Sequence, residues 1–372
     1  MKTYRWFFLV IVLGILASCG GTSEDELVGD WRRRAFFRAD ERSHCATFVI
    51  GDKGYVCCGW NGLKARLSDA YVFEHNAGEM GNWQTIKEFP GKPRSHAVGF
   101  SVNNFGYVGT GWDGDETDMK DFWRYNPGSD EWTEAAPLPE VARARREALA
   151  FSLTVGGKEF GYVGFGFYSD AKNRGYLSDL WQFDPDGQTT DENGKVWEGS
   201  WTEVTGYGGY KRVGAVAFVI DNKAYICNGK NPADVTDFWV FDPSASAVKD
   251  VWTKKRTMWD ANPDEDYDDD YRGLPRSYGV AYVVEIRPGQ PRGHIVGGGK
   301  SSNWEYDHDN DLWTQRTQFY NHTSSQSREG MVSFSFPNTG RTFVGMGKGG
   351  VAYYDDMWEF IPLEPDYIYD DF

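Results

Sequence analysis

The strongest constraint on this chain is a repeat with a period near fifty residues, which recurs through most of its length. Each copy begins with an arginine that is followed six residues later by an aromatic residue, and apolar residues alternate between the two. That alternation is typical of a half-buried β-strand. The six pairs are Arg42/Phe48, Arg94/Phe100, Arg145/Phe151, Arg212/Phe218, Arg276/Tyr282 and Arg328/Phe334.

Three further elements follow in each copy. The second runs from a small residue to a glycine, as in "GYVGTG" at 106, "AYICNG" at 224 and "TFVGMG" at 342. The third is Asp-x-aromatic-x-aromatic, as in "DFWRY" at 121, although the fifth copy, "SNWEY" at 302, lacks the aspartate. The fourth begins with a tryptophan, at Trp83, Trp132, Trp201, Trp252 and Trp313.

Four short strands per copy and six copies predict an all-β, six-bladed β-propeller of four-stranded blades. The pattern resembles the Kelch repeat over residues 30–362, although one of the two glycines usual in the second element is replaced in most copies. This resemblance implies that the first strand of each blade lines a central channel and the fourth lies outermost. It also implies that the connections after the second and fourth strands share one ligand-binding face.

The segment "GDWRRRAFF", residues 29–37, supplies the tryptophan that the sixth copy lacks. Arg42 follows Trp31 by eleven residues, the interval that also separates Trp83 from Arg94. We therefore expect this N-terminal strand to be the outermost strand of the last blade, where it closes the ring and covers an edge.

The N-terminus has the features of an export signal. Lys2 and Arg5 precede a short apolar stretch, and "LASC" resembles a bacterial lipobox that would leave Cys19 carrying lipid. The predicted organisation is a signal peptide (1–18), a lipidated cysteine and flexible tether (19–29), the propeller (30–362) and an acidic tail (363–372). This predicts a protein held by lipid in the bacterial outer membrane, on its periplasmic or cell-surface side.

Composition limits the possible partners. The net charge of −16 makes a nucleic-acid ligand improbable, and no cofactor or metal is predicted. Cys45, Cys57, Cys58 and Cys227 have no zinc-site spacing, and both buried thiols and a disulfide from Cys45 to Cys57 or Cys58 stay open.

The predicted ligand-binding residues lie at the presumed mouth of the channel. Aromatic residues or lysines follow the second strands, and an arginine stands before each first strand; together they suit an anionic sugar or another carboxylated ligand. The alternative for the arginines is structural, tying blades together through carbonyls or the repeat aspartates. The predicted set is Trp60, Trp112, Phe167, Lys230, Lys300, Lys348, Arg42, Arg94, Arg145, Arg212, Arg276 and Arg328.

Two other possibilities are weaker. His44, His96 and Glu147 fall at equivalent positions and could together hold a metal ion, but a histidine is ordinary at this place. The run "DEDYDDDY" at 264–271 favours a solvated acidic lid over a calcium site, because the glycine and glutamate of an EF-hand are missing.

The preferred function is a non-catalytic module that binds a glycan or a protein outside the cytoplasm. The alternative is an enzyme similar to the six-bladed Kelch sialic-acid mutarotases, which use glutamate and arginine on the channel face. Glu147, Glu203 and Glu329 are the candidate carboxylates for such proton exchange, although no specific catalytic residue can be assigned.

Overall fold

The structure is a computed structural model that describes residues 27–63, 65–115, 117–259, 271–321, 324–325 and 327–365. The regular secondary structure of the described chain is almost entirely β-strand, with short 3₁₀ turns at Val248–Asp250 and Tyr271–Gly273. No helix within those ranges has the length and apolarity to cross a bilayer. The predicted signal peptide, the lipidated Cys19 and most of the acidic run at 264–271 lie outside the described residues.

The N-terminal strand and the first repeat supply five strands. The first repeat forms one antiparallel sheet in the order β2-β3-β4-β5, and β1 belongs to a different sheet. The bounds are β1 (Val28–Arg34), β2 (Ala46–Ile50), β3 (Lys53–Cys57), β4 (Ala70–Glu74) and β5 (Asn82–Ile86).

The second and third repeats together form one eight-stranded sheet, and a small hairpin of β12 and β13 stands apart from it. The second repeat contributes β6 (Val98–Val102), β7 (Phe105–Gly109), β8 (Phe122–Asn126) and β9 (Glu131–Ala135). The third contributes β10 (Leu149–Val155), β11 (Lys158–Gly164), β12 (Phe167–Ser169), β13 (Arg174–Tyr176), β14 (Leu180–Thr190) and β15 (Val196–Val204).

The fourth and fifth repeats each form a four-stranded sheet, and the sixth shares its sheet with β1. The fourth has β16 (Val216–Ile220), β17 (Lys223–Cys227), β18 (Trp239–Phe241) and β19 (Trp252–Lys254). The fifth has β20 (Gly279–Glu285), β21 (Pro291–Gly297), β22 (Asn303–Asp307) and β23 (Leu312–Arg316). The remaining strands are β24 (Tyr320–Asn321), β25 (Ser324–Ser325), β26 (Val332–Phe336), β27 (Arg341–Gly345), β28 (Lys348–Gly349), β29 (Ala352–Tyr353) and β30 (Met357–Pro365).

The repeated aromatic residues make the core between neighbouring sheets. Phe100 of a first strand stacks on Tyr107 of the second, with ring centroids 5.1 Å apart and planes 9° apart. In the four repeats whose second element opens with glycine, that glycine is required by the aromatic ring of the preceding repeat. A Cβ on Gly106 would lie 2.1 Å from Phe48, and one on Gly161 would lie 2.2 Å from Phe100. The pattern of glycine followed by an aromatic residue is therefore a packing rule between sheets.

The strand β1 runs antiparallel to β30, in a sheet ordered β1-β30-β27-β26. Trp31 lies opposite Phe360, just as Trp83 lies opposite Phe73 in the first repeat. Trp31 is only 2% exposed, and its indole nitrogen donates a hydrogen bond to the carbonyl of Thr317 at 3.0 Å. In the sheet of the sixth repeat, Trp31 thus occupies the position that the repeat tryptophans occupy in their own sheets.

The residues two positions after the six arginines form a closed cycle of backbone hydrogen bonds, with N···O distances of 2.8–3.2 Å. All six have positive φ angles between 54° and 62°. The peptide groups of successive repeats therefore meet around one axis, and the described chain is an all-β propeller. The members of this axial ring are His44, His96, Glu147, Gly214, Tyr278 and Gly330.

The antiparallel order places the connections after second and fourth strands at one end of the sheets, here called the upper face. The third repeat has an insertion at 184–200, which falls at the opposite end of the sheets. It extends β14 and β15, and Glu198 pairs in parallel with Ala135 of β9, which joins the second and third repeats into one sheet.

Candidate functional site

The six repeat arginines are buried, each with at most 1% of its surface exposed. In five repeats the guanidinium binds the aspartate of the third element in the same repeat. Arg145, for example, donates to Asp179 at 2.8 and 2.6 Å, and Arg94 donates to Asp121 at 2.6 and 2.8 Å. The other pairs are Arg42–Asp69, Arg212–Asp237 and Arg328–Asp356.

Arg276 is the exception, because Ser302 stands where the other repeats have aspartate. Its guanidinium donates to the hydroxyl and the carbonyl of Ser302, both at 2.8 Å, and to the carbonyl of Gly297. Burial lowers the pKa of Arg276 to about 10. In all six repeats the arginine is occupied within its own sheet. The expectation that Arg42, Arg94, Arg145, Arg212, Arg276 and Arg328 bind a ligand is therefore corrected, and the structural alternative describes them.

The predicted aromatic residues do lie together on the upper face, and cations that were not predicted separate them. The guanidinium carbon of Arg66 lies 4.6 Å from the centroid of Trp60 and 4.8 Å from that of Trp112. The guanidinium of Arg146 lies 4.9 Å from Trp112 and 5.0 Å from Phe167. These five residues, here called the rim array, alternate ring and cation across three repeats.

The two rim arginines differ in their other partners. Arg146 donates to Asp118 at 2.6 Å. Arg66 donates through Nε to the hydroxyl of Ser95 at 2.8 Å, and the described residues include no carboxylate within ion-pair distance of it. Sequence reasoning missed both arginines because neither belongs to a repeated position: Arg66 lies in a connection of variable length and Arg146 adjoins a repeat arginine.

The three predicted lysines have separate environments. The Nζ atom of Lys230 lies 4.6 Å from the ring centroid of Tyr278, toward the propeller axis. Lys348 pairs with Glu329 at 2.8 Å and lies 6.0 Å from the centroid of Trp60. Lys300 donates to the carbonyls of Gly273 and Pro275, so it stabilises a connection within the fold. Lys230 and Lys348 therefore remain candidates, and Lys300 does not.

A small pocket of about 140 Å³ lies on the propeller axis and is lined by the axial ring. The ring centroids of His44 and His96 are 4.0 Å apart, with the ring planes tilted by 31°. The hydroxyl of Tyr278 donates to Glu147 Oε2 at 2.8 Å. Histidine, carboxyl and phenol groups thus converge where the sequence analysis had considered a metal ion.

Burial controls the ionisation of these axial groups. It lowers the pKa of His44 to about 4. It also lowers the pKa of His96, and the neighbouring His44 lowers that pKa further by a smaller amount. It raises the pKa of Glu147, against the hydrogen bond from Tyr278 and the charge of Arg146. At neutral pH both histidines are uncharged, and the pocket offers neutral nitrogens beside a carboxyl group that resists ionisation.

Other candidate groups lie elsewhere. Glu203 is exposed on β15, the outermost strand of its repeat, so it does not share the axis with Glu147. Cys45, Cys57, Cys58 and Cys227 are free thiols, which agrees with the thiol alternative. Among the described residues, one group has three possible metal ligands within 4.8 Å of one another; it is Asp307, His308 and Asp309, in the turn after β22.

Comparison with known proteins identifies the repeat. A family model for the Kelch motif matches residues 111–139, from the upper connection of the second repeat to the end of its outer strand. No curated protein matches the chain as a whole. The solved structure of YjhT is similar, with 16% sequence identity and a TM-score of 0.63 over 87% of this chain and 95% of that one. The chain therefore contains a Kelch motif and has the fold of a β-propeller.

Proposed function

We propose that this protein is a non-catalytic binding propeller that holds an anionic glycan or protein ligand on its upper face. The observation that supports this best is the rim array, in which Trp60, Arg66, Trp112, Arg146 and Phe167 alternate beside the axial pocket. Aromatic rings on a concave surface provide apolar contact, and guanidinium groups provide directed hydrogen bonds to oxyanions.

The array favours recognition at its edges. Each guanidinium lies against two rings, so the faces of Trp112 that a sugar would stack on are covered by Arg66 and Arg146. The ring edges and the Nη atoms of Arg66 remain available to a ligand. In a chain with a net charge of −16, such a cluster of cations also concentrates the attraction for an anion at one place.

We also infer that the propeller has six blades and that β1 closes the ring. The eight-stranded sheet then consists of two blades joined by the extension of β14 and β15. This interpretation is supported by the hydrogen-bonded cycle, which has one member from each of six repeats, and by the pairing of Trp31 with Phe360.

A glycan array read with the full-length protein tests the binding function. Wild-type protein should retain anionic glycans, and Trp60→Ala and Trp112→Ala should each weaken retention because they remove one wall beside Arg66. Tyr210→Ala, which changes an exposed aromatic residue of another upper connection, is the matched control. Equal retention by the tryptophan variants and the control would refute the site assignment.

A mutarotase is the second candidate, and the Glu147–Tyr278 pair favours it. A carboxyl group with a raised pKa beside neutral histidines is suited to passing a proton to and from an anomeric or ring oxygen. The solved structure of YjhT, at 16% identity, supports the shared fold and no activity.

Proton NMR of freshly dissolved sialic acid distinguishes the two functions. An enzyme would accelerate anomeric exchange, Glu147→Gln would abolish the acceleration, and Glu203→Gln, on the outermost strand, would leave it intact. No acceleration by wild-type protein would exclude sialic acid mutarotation and leave the binding function.

Lipid attachment at Cys19 and outer-membrane location remain part of the proposal. Cells that express wild-type protein should retain it in the membrane fraction, and Cys19→Ser should release it or leave it unprocessed. Membrane retention of a fully processed Cys19→Ser protein would refute the lipobox interpretation.

A further inference from the structure

Arg66 is prepared for a ligand in a way that Arg146 is not. Arg146 has an ion pair with Asp118, whereas the described residues provide Arg66 with one hydrogen bond, from Nε to Ser95, and with two ring contacts. The Nη1 and Nη2 atoms of Arg66 therefore have no hydrogen-bond acceptor among the described residues. They form the edge of the guanidinium that can accommodate a bidentate oxyanion.

The position of this guanidinium is fixed before any ligand arrives. Trp60 and Trp112 enclose it, and Ser95 holds its Nε. Gly114 allows the connection of the second repeat to approach it closely, since a Cβ there would lie 2.9 Å from the guanidinium carbon. A side chain held in this way loses little conformational freedom when it binds, which favours affinity.

The surroundings of Arg66 also leave its charge incompletely compensated. The residue is 9% exposed, and burial lowers its pKa because the charged form has lost water. Contact with two aromatic faces offsets part of the hydration energy that the guanidinium has lost. A carboxylate in the plane of the guanidinium would return more, because a charge-assisted pair is stronger where water is scarce.

We propose that Arg66 is the subsite that binds a carboxylate group of the ligand, through Nη1 and Nη2. This rests on the proposed binding function and specifies its ligand class as a carboxylated saccharide. A planar, singly charged carboxylate matches one guanidinium edge. A phosphate dianion fits less well, since Asp113 is close enough to act on the charge of Arg66 and would repel the second negative charge.

A hydrogen-bond chain connects this subsite with the axial pocket. Ser95 Oγ accepts from Arg66 Nε, so its own proton is available to His96 Nδ1 at 2.9 Å. In the tautomer in which Ser95 donates to Nδ1, the ring proton of His96 lies on Nε2, which is then a donor. A sugar whose carboxylate binds Arg66 would then meet a hydroxyl-binding donor beside Glu147.

Isothermal titration calorimetry of the full-length protein tests the subsite with glucuronate, galacturonate and N-acetylneuraminate, each paired with its methyl ester. We expect at least one acid to bind. Its methyl ester should bind with an affinity that is lower by about tenfold or more. Arg66→Met should lower the affinity for the acid by a similar factor and leave the affinity for the ester unchanged. Arg66→Lys should retain part of the affinity for the acid that Arg66→Met loses. Arg143→Met is the matched control, because Arg143 also lies over a ring, that of Tyr168, but is paired with Asp170.

The outcomes separate this proposal from the broader one. Binding of acid and ester with equal affinity, or equal binding by wild type and Arg66→Met, would refute the carboxylate subsite while leaving a ligand on the upper face. Failure of all three acids to bind wild type would refute the carboxylated-saccharide class, and the glycan array then decides the broader function. Thermal melting of each variant confirms that it is folded.

Discussion

At the scale of single residues, the upper end of the propeller uses arginine in two ways. The repeat arginines, such as Arg145, are buried against an aspartate and tie the start of a first strand to the start of a third. Arg66 and Arg146 lie between aromatic rings at the surface. The same guanidinium chemistry therefore pairs with carboxylates in one layer and lies against aromatic rings in the next.

The buried pairs predict an asymmetry between repeats. Arg145→Met would leave the carboxylate of Asp179 partly buried without its partner, so we expect the free energy of unfolding to fall by about 3 kcal/mol. Arg276→Met should cost less, because Ser302 leaves no carboxylate unpaired in that repeat. Urea denaturation of both variants measures the difference, and equal losses would contradict this account of the pairs.

His44 predicts how stability responds to acid. Burial holds its pKa at about 4 in the folded protein, whereas an unfolded histidine titrates near 6.5. Between these values the unfolded chain binds more protons, so folded-state stability falls as the pH drops from about 6.5 to 4. Asparagine tolerates the positive φ at this position, which makes His44→Asn a suitable variant.

Denaturation at pH 7 and pH 4.5 checks this prediction. Between pH 7 and pH 4.5 the free energy of unfolding of the wild type should fall by about 2 kcal/mol more than that of His44→Asn. The carboxyl groups titrate in both proteins, so their contribution cancels in this comparison. His96 remains in both and also resists protonation, so the difference reports His44. Parallel pH dependence in the two proteins would show that His44 does not contribute.

Sequence spacing identified the repeat arginines but did not predict their orientation. Arg94 and Asp121 are 27 residues apart, and Arg145 and Asp179 are 34 apart, so only the pairing of the strands brings them together. Trp60 and Trp112 were identified because they follow a repeated glycine. Arg66 has no such marker, and its role depends on two tryptophans from different connections.

At the scale of strands, the outer edge of the last sheet depends on a segment from the other end of the chain. The strand β1 pairs with β30 from Val28 opposite Pro365 to Arg34 opposite Met357. Trp31 secures it by packing on Phe319 and Phe360, with ring centroids 5.0 and 4.7 Å away. The sequence predicted this strand from the interval between tryptophan and arginine alone.

Loss of Trp31 tests that attachment. Trp31→Ala removes a buried indole and its bond to Thr317, so we expect the free energy of unfolding to fall by about 3 kcal/mol or more. Detachment of β1 would also expose the edge of β30 to other chains, which size-exclusion chromatography detects as self-association. Arg38→Gln is the control, because Arg38 is exposed and lies just after β1. An unchanged melting temperature would contradict the structural role of β1.

The long hairpin of β14 and β15 is an element that the repeat pattern did not predict. Its residues 185–199 lack the repeat pattern, so nothing in the sequence indicated pairing with another repeat. In the structure the backbone of Ala136 donates to the carbonyl of Glu198, and Trp201 donates to the carbonyl of Ala136. An insertion of this kind can cover the edge of a neighbouring outer strand without leaving a periodic signal.

At the scale of the whole molecule, the direction of β1 determines which face any N-terminal anchor would leave free. Arg34 lies at the upper end of the last sheet, because the connection that follows it leads to Arg42 and β2. Val28 begins β1 at the other end of that strand, opposite Pro365. If Cys19 is lipidated as proposed, we expect the tether to join β1 at the end remote from Arg34 and the binding surface to point away from the membrane.

Fluorescence energy transfer in vesicles tests this orientation with the lipidated full-length protein. A donor dye at Val141→Cys would mark the upper face and one at Val248→Cys the lower face, since these side chains are 83% and 92% exposed. With acceptor lipids in the bilayer, transfer should be clearly stronger from position 248, because that end adjoins the tether. Equal or stronger transfer from position 141 would mean that the upper face lies on the membrane, where a large soluble glycan could not reach Arg66.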